Sequence, residues 1–360
     1  MYLYLIIYAL PFMFFIFERD DTYGKIAHKY LWTLFTLLLM ILIGFKYRMG
    51  PDWHSYVDMY ARASESDVGI QDILYINRDV GFAFLNFLAA KYITGDLGLL
   101  AVNVFCGVIF ISAILKFCNY YKMNKLAVSI CLPYLIFVIG IGYQRQALAI
   151  SLFMLGLVFF FEGKIYKYLF ILIIAALFHK TAILLAPLIL FNEAKANKLL
   201  ITLVLLLAMI GIYEVLISNS MDLMVRSYID RERESRGAWI RIIILIVPAI
   251  LFFVFNKNYK KVMEVNEFSL TKWFCAAIVC LPLFMSISST AVDRVSLYFI
   301  PVQVIVFCRF IDLFSTNASR YLFTLITYLG FGAFLIVWFS LSNYSWAWIP
   351  YRTYEMFYIF

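Results

Sequence analysis

The sequence predicts an all-α polytopic membrane protein with about 11–12 transmembrane segments, two of them half-helices. Three observations carry the prediction. Hydrophobic residues make up 64% of the 360 residues and charged residues only 14%, more apolar surface than a water-soluble core can bury. Mean hydropathy is +0.88, and apolar runs near the ~20 residues a helix needs to cross hydrocarbon recur along the whole chain. Basic residues collect between those runs and segregate by type, as developed below.

The runs are taken in chain order. Run 2–17 has no basic n-region and no small-residue cleavage site, so it is expected to be a retained membrane helix. Run 30–46 follows, then a polar stretch, 47–80. The short amphipathic segment 81–93 is expected to lie at the interface. Runs 97–117, 126–142 and 147–161 come next. Segments 168–178 and 182–191 are too short to cross alone. Runs 198–217, 238–255, 273–291, 294–312 and 320–342 complete the set, with polar stretches at 218–237 and 256–272. No internal repeat or low-complexity tract interrupts them. The chain is therefore expected to be one integral membrane domain, 1–360. It carries an outer loop with an interfacial helix, 47–95, and a second outer loop, 218–237.

The six cysteines (Cys106, Cys118, Cys131, Cys275, Cys280, Cys308) fall in apolar segments without a CxxC pair and read as small hydrophobes. A net charge of +8 suits basic loops beside a membrane. No basic tract stands free of lipid, which argues against nucleic acid as a partner.

Segments 168–178 and 182–191 meet at His179 and Lys180, in "LFHKTAILLAPLILF". If they pair as half-helices, the loops on one side hold 13 lysines and 3 arginines, and those on the other hold 3 lysines and 11 arginines. A single crossing would split the lysines 7 against 9 and erase the segregation. Irregular backbone at membrane depth is tolerated only against protein or a wet cavity. A charged side chain in lipid costs ~2.5–3.5 kcal/mol on insertion scales. A wet pocket opening on the arginine-rich side is the economical reading. The alternative is that Lys180 snorkels and His179 is a satisfied packing residue.

Arginine offers a rigid donor fork that fits phosphate oxygens two at a time. Arg62, Arg226, Arg231, Arg233 and Arg236 read as solvated surface. Arg145, Arg241 and Arg294 stand at the expected starts of helices 147–161, 238–255 and 294–312. A helix start with an arginine suits an anion, and three of them suit one pyrophosphate. Interfacial snorkelling is the alternative for each. In "YRMGPDWHSYVDMY", Gly50-Pro51 forces a turn, leaving Arg48, Asp52, Trp53 and His54 at the interface. Trp53 beside carboxylates suits sugar recognition, with an aromatic belt and a capping Asp52 as the alternative. "RDD" (Arg19, Asp20, Asp21) is on the lysine-rich side, and no DxD motif falls in an outer loop, so neither a metal site nor a cofactor is expected.

In this order, "GPDWHSY", "RDVGFAFLN", "YQRQALAISLF", "AALFHKTAILLAP", "DRVSLYFIP" and "WIPYR" resemble the EpsG-like, Wzy-type polysaccharide polymerases over nearly the whole chain. The resemblance implies a GT-C-like helical fold in the bacterial inner membrane. It implies transfer of a growing glycan from undecaprenyl pyrophosphate to the non-reducing end of a lipid-linked repeat unit, at the periplasmic or outer face. A chain-length co-polymerase and a flippase are the implied partners. On that chemistry, Arg145 and Arg294 are expected on the pyrophosphate, with Arg241 and Arg352 as weaker candidates. His179 is the first choice of base, and Asp52 and Asp79 compete with it. Arg48, Trp53, Lys180 and Tyr351 complete the expected substrate set. Asp293 is expected to be a helix cap or an arginine partner. A flippase or exporter, an O-antigen ligase-type transferase and a membrane O-acyltransferase are the rival readings.

Overall fold

A computed structural model describes residues 1–16, 22–65, 79–93, 95–192, 238–286 and 289–354, with single positions at 69, 71 and 206. Run 198–217, the loop 218–237 and Arg78 lie outside the described residues. Among the described residues the chain is helical, with no strand and one isolated bridge, Lys46 to Thr353. Six helices among the described residues are long and apolar enough to cross a membrane, and a bent pair makes a seventh. Five shorter apolar helices accompany them. This is the all-α polytopic architecture expected.

Helix α1 (Tyr2–Ile16) leads to α2 (Thr22–Gly44). Two short helices, α3 (Trp53–Ala63) and α4 (Val80–Tyr92), occupy the expected outer loop. Helix α5 (Asp96–Cys118) precedes α6 (Asn124–Cys131), which continues as a π-helix, Leu132–Gly140. Helix α7 (Gln144–Phe161) is the most buried of the spans, since α5, α8 and the π-helix all pack on it.

Helix α8 (Ile165–Phe178) ends where His179 turns extended (φ −154°, ψ 109°), and a 3₁₀ helix, Lys180–Phe191, follows. The two segments fold back on each other. The Tyr168 hydroxyl donates to the Leu185 carbonyl at 2.8 Å, and Asn192 Nδ2 reaches the Phe160 carbonyl at 2.8 Å. The chain thus returns to the end of α7 where it left, with His179 at the tip, which is the paired arrangement expected from the lysine count. The first bond ties the two segments to each other, and the second adds a donor to a Phe160 carbonyl that already accepts from the Gly163 amide.

The rest of the bundle is α9 (Ala238–Val254), α10 (Asn256–Val262), α11 (Val265–Phe284), α12 (Ser289–Ser296), a 3₁₀ turn (Leu297–Phe299), α13 (Ile300–Ile311) and α14 (Asn317–Leu341). Two expectations need correction. The polar stretch 256–272 is mostly helical, because α11 starts eight residues before the apolar run at 273 and buries Glu267 in its first turn. Arg294 does not open a helix. It sits in the last turn of α12, so the free amides of a helix start are not beside it.

The segment after α14 straps one end of the bundle. Trp348 donates its indole N–H to the Val138 carbonyl at 3.1 Å, and Tyr4 donates to the Trp348 carbonyl at 2.8 Å. The Gly50 amide donates to Ala347 at 2.9 Å and the Tyr47 amide to Arg352 at 3.0 Å. Gly50 has φ +80°, and a Cβ there would collide with the Gly142 backbone, so glycine is required where loop 45–50 crosses the end of the π-helix. The strap therefore fixes the two stretches that lead into Asp52 and Arg145.

Candidate functional site

The site is built around Asp79, the residue before α4, which is 3% exposed. Arg145, in the first turn of α7, donates from Nη1 to Asp79 Oδ2 at 2.7 Å. The Lys180 amide donates to Oδ1 at 3.2 Å. It is the first amide of the 3₁₀ helix, so Asp79 caps the hairpin tip from across the structure. His179 Nδ1 lies 3.7 Å from Oδ2. One carboxylate thus gathers the start of α4, the start of α7 and the hairpin tip. Burial pushes the Asp79 carboxyl up, but His179, Arg145 and the Lys180 amide more than reverse this, leaving its pKa below the ordinary carboxylate value.

The opposite flank comes from α3. The Arg145 guanidinium stands 5.7 Å over the Tyr56 ring. The Tyr56 hydroxyl donates to Asp52 Oδ2 in a long contact of 3.4 Å. Asp52 occupies the N-cap position of α3 without a side-chain capping bond, so it is not the capping residue considered above. Burial raises the Asp52 pKa, and Arg145, Arg294, Tyr56 and Lys46 reduce the rise without cancelling it. Arg294 is exposed, and its carbonyl accepts from Gln146 Nε2 at 3.3 Å.

A second group adjoins the first. Arg241, in the first turn of α9, pairs with Asp293 and lies 5.8 Å from the Tyr134 ring. Asp293 is therefore an arginine partner, and its place inside α12 excludes the capping role. A cavity of about 20 Å³, lined in part by Tyr134, Arg241, Ser296 and Gln303, lies beside this pair, room for about one water molecule. Tyr143 couples the two groups: burial pushes its phenol up to about 12, and Asp52, Asp293, Arg241 and Arg294 all act on it.

Four expected residues serve the frame around the cluster. Trp53 is buried, edge-on to Tyr47 and Tyr354, so its ring is packing surface and not an open platform for a sugar. Tyr351 donates to the Leu42 carbonyl at 2.9 Å. The Arg352 amide lies 3.2 Å from Met49 Sδ. Arg48 adopts φ +51° and stacks on Tyr47 at 5.1 Å. Sequence reasoning missed Tyr56 and Tyr298. The Tyr298 hydroxyl shares a 2.8 Å hydrogen bond with Thr181, tying the hairpin tip to the 3₁₀ turn after α12. Both tyrosines stand four residues after a flagged residue, Asp52 and Arg294, and one helical turn was the available signal.

These features define a polytopic membrane protein with a partly buried arginine–histidine–carboxylate cluster at one end of its bundle. The chain belongs to the EpsG family, whose sequence model matches residues 29–353. No curated protein and no solved structure matches it. Membership makes it a polysaccharide-polymerase-like membrane protein.

Proposed function

We propose that the protein is a membrane glycosyltransferase of the bacterial cytoplasmic membrane, elongating polysaccharide at the outer or periplasmic face. Its donor is a glycan on undecaprenyl pyrophosphate, and its acceptor is the non-reducing end of a lipid-linked repeat unit. The observation that carries this reading is the convergence of Arg145, His179 and the Lys180 amide on one carboxylate, with Arg294 and Asp52 alongside.

In the transfer, the bond between the donor's anomeric carbon and the pyrophosphate oxygen breaks, and its electron pair leaves with the pyrophosphate. The acceptor oxygen bonds to that carbon and gives up its proton. Arg145 and Arg294 take the growing negative charge, where fixed donors act most strongly in a partly dry site. Arg241 extends the same positive face. His179 receives the proton, and Asp79 orients the ring, as a carboxylate behind an imidazole does. His179 Nδ1 faces Asp79 Oδ2 at 3.7 Å, and Nε2 is buried without a hydrogen-bond partner, which supports a role that begins when a hydroxyl arrives. Asp52 is the second proton acceptor, favoured by the burial that raises its pKa. A chain-length co-polymerase and a flippase act with it.

The test is reconstitution of the purified protein in liposomes with one defined lipid-linked repeat unit. A ladder of longer glycans with release of undecaprenyl pyrophosphate is expected. Movement of the unit across the bilayer without elongation would instead establish a flippase.

A further inference from the structure

The hairpin tip that carries His179 is held from two sides. On one side Asp79 Oδ1 accepts from the Lys180 amide at 3.2 Å. Gly81 permits this approach of α4, since a Cβ there would crowd the backbone and side chain of Leu177 in the last turn of α8. On the other side the hydroxyls of Thr181 and Tyr298 share a hydrogen bond of 2.8 Å. Thr181 lies inside the first turn of the 3₁₀ helix, which the Ala182 amide closes by donating to the His179 carbonyl at 3.0 Å. A displacement of Thr181 therefore passes directly into His179. Tyr298 is 5% exposed and stands four residues beyond Arg294, on the helical stretch that runs from α12 into the 3₁₀ turn.

These contacts close a ring. Arg145 donates to Asp79 at 2.7 Å, and its neighbour Gln146 donates to the Arg294 carbonyl at 3.3 Å. The helical stretch leads from Arg294 to Tyr298, Tyr298 meets Thr181, and the adjacent Lys180 amide returns to Asp79. The groups assigned above to the diphosphate, Arg145 and Arg294, and to the proton, His179, all stand on this ring. The fold has other anchors at both ends of the Thr181–Tyr298 bond. Bonds from Tyr168 to Leu185 and from Asn192 to Phe160 hold the hairpin below its tip, and the Tyr298 ring packs edge-on to Phe153 at 6.1 Å. A hydroxyl pair that the packing does not need, set between the hairpin and the helix of Arg294, is suited to registration of one against the other.

We infer that Tyr298, acting through Thr181, is a positioning residue: it fixes the His179 imidazole relative to Arg294, so that proton acceptor and diphosphate ligand face the same reacting pair. The inference rests on the reading of His179 as the proton acceptor in glycan elongation.

The test is steady-state elongation by full-length protein in liposomes with the defined repeat unit, for wild type, Tyr298→Phe, Thr181→Val, the double variant and Thr181→Ser. Tyr298→Phe keeps the ring against Phe153, and Thr181→Ser keeps the hydroxyl. Tyr298→Phe and Thr181→Val should each lower kcat by about 10–10²-fold, the loss that a misplacement of up to about 1 Å produces. KM for the repeat unit and protein accumulation should hold. The double variant should lose no more than either single one, because both remove the same bond. Thr181→Ser should stay close to wild type. A normal kcat in Thr181→Val beside a low one in Tyr298→Phe overturns the inference, since the phenol would then act in the chemistry itself. So do losses that multiply in the double variant, or a rise in KM at constant kcat. Reduced accumulation with unchanged kcat per folded protein, or failure of both hydroxyl-free variants to accumulate, makes the bond structural and overturns it as well. No elongation by wild type would instead overturn the functional reading itself, and the two failures are distinct.

Discussion

Two acid–arginine clusters occupy opposite ends of α7, and they differ in how much of their bonding capacity is used. At the far end, Glu267 has a fully buried side chain and meets Arg309 through contacts of 2.9, 3.1 and 2.7 Å. Asn266 Nδ2 reaches the Phe161 carbonyl at 3.4 Å, which sets this pair beside the last turn of α7. Tyr120 and Tyr121 cover the guanidinium at 5.5 and 5.3 Å, and Asp312 adds a contact at 3.5 Å. At the start of α7, roughly 24 Å away at 1.5 Å per residue, Arg145 makes one short contact to Asp79 and keeps 27% of its side chain exposed. His179 stands off at 3.7 Å. The first cluster is closed on itself, as a structural clamp is. The second holds the same chemical groups with donors left to offer, as a ligand site does.

The sharpest way to break this contrast is to remove one partner at each end. Glu267→Ala leaves Arg309 buried beside tyrosines with its main counter-ion gone, and breaking a buried pair in this way costs about 3–5 kcal/mol. Membrane accumulation and thermal stability in detergent should fall steeply. Arg145→Ala leaves Asp79 its contacts with the Lys180 amide and His179, so both measurements should fall less than in Glu267→Ala. If Glu267→Ala accumulates normally while Arg145→Ala is lost, the assignment of clamp and site is the wrong way round.

The second effect falls on catalysis. Arg145→Ala and Arg294→Ala should each slow elongation by about 10²–10³-fold, the usual loss when one fixed donor to a developing oxyanion is removed. Arg145→Lys should recover little. A single ammonium cannot hold Asp79, lie over Tyr56 and present a second N–H to a phosphate oxygen at once. Initial rates on the defined lipid-linked unit read this directly, and a wild-type rate for Arg145→Lys would reduce the guanidinium to a point charge.

The bundle was legible because hydrocarbon imposes length and composition on each span, and even the hairpin at 165–191 could be drawn from the distribution of lysines. Helix starts were harder. Arg294 looked like the beginning of a helix because an apolar run begins there, yet α12 starts at Ser289, in residues that hydropathy joins to the preceding run 273–291. The 256–272 stretch failed too: its charges are compatible with helix, and Glu267 enters the interior only because Arg309, 42 residues on, is there to meet it. Asp79 was named beside other candidates, but its position as hub depends on three stretches meeting, and chain order alone does not contain that meeting. Trp53 shows the converse, since a tryptophan suited to a sugar and one suited to packing read identically until Tyr47 and Tyr354 are placed against it.

The smallest effect separates the two carboxylates inside the open cluster. The Asp79 pKa lies below its ordinary value, so the fold favours the ionised form. Its contribution to stability is present above the unfolded value of about 4, and is lost as pH falls through the lower, folded value. The Asp52 pKa is raised, so the fold disfavours ionisation there, and stability declines as pH rises from about 4 through the folded value. Melting in detergent between pH 3 and 7 should therefore respond oppositely. Asp79→Asn should lower the neutral plateau and flatten the acid drop, because a neutral amide pairs less well with Arg145 but no longer titrates. Asp52→Asn should hold or raise the neutral plateau while elongation falls, the pattern of a group kept at a cost to stability for the sake of chemistry. A lower plateau in Asp52→Asn would make both carboxylates structural partners of the arginines, and the open cluster would then resemble the clamp at the other end of α7 more closely than its geometry indicates.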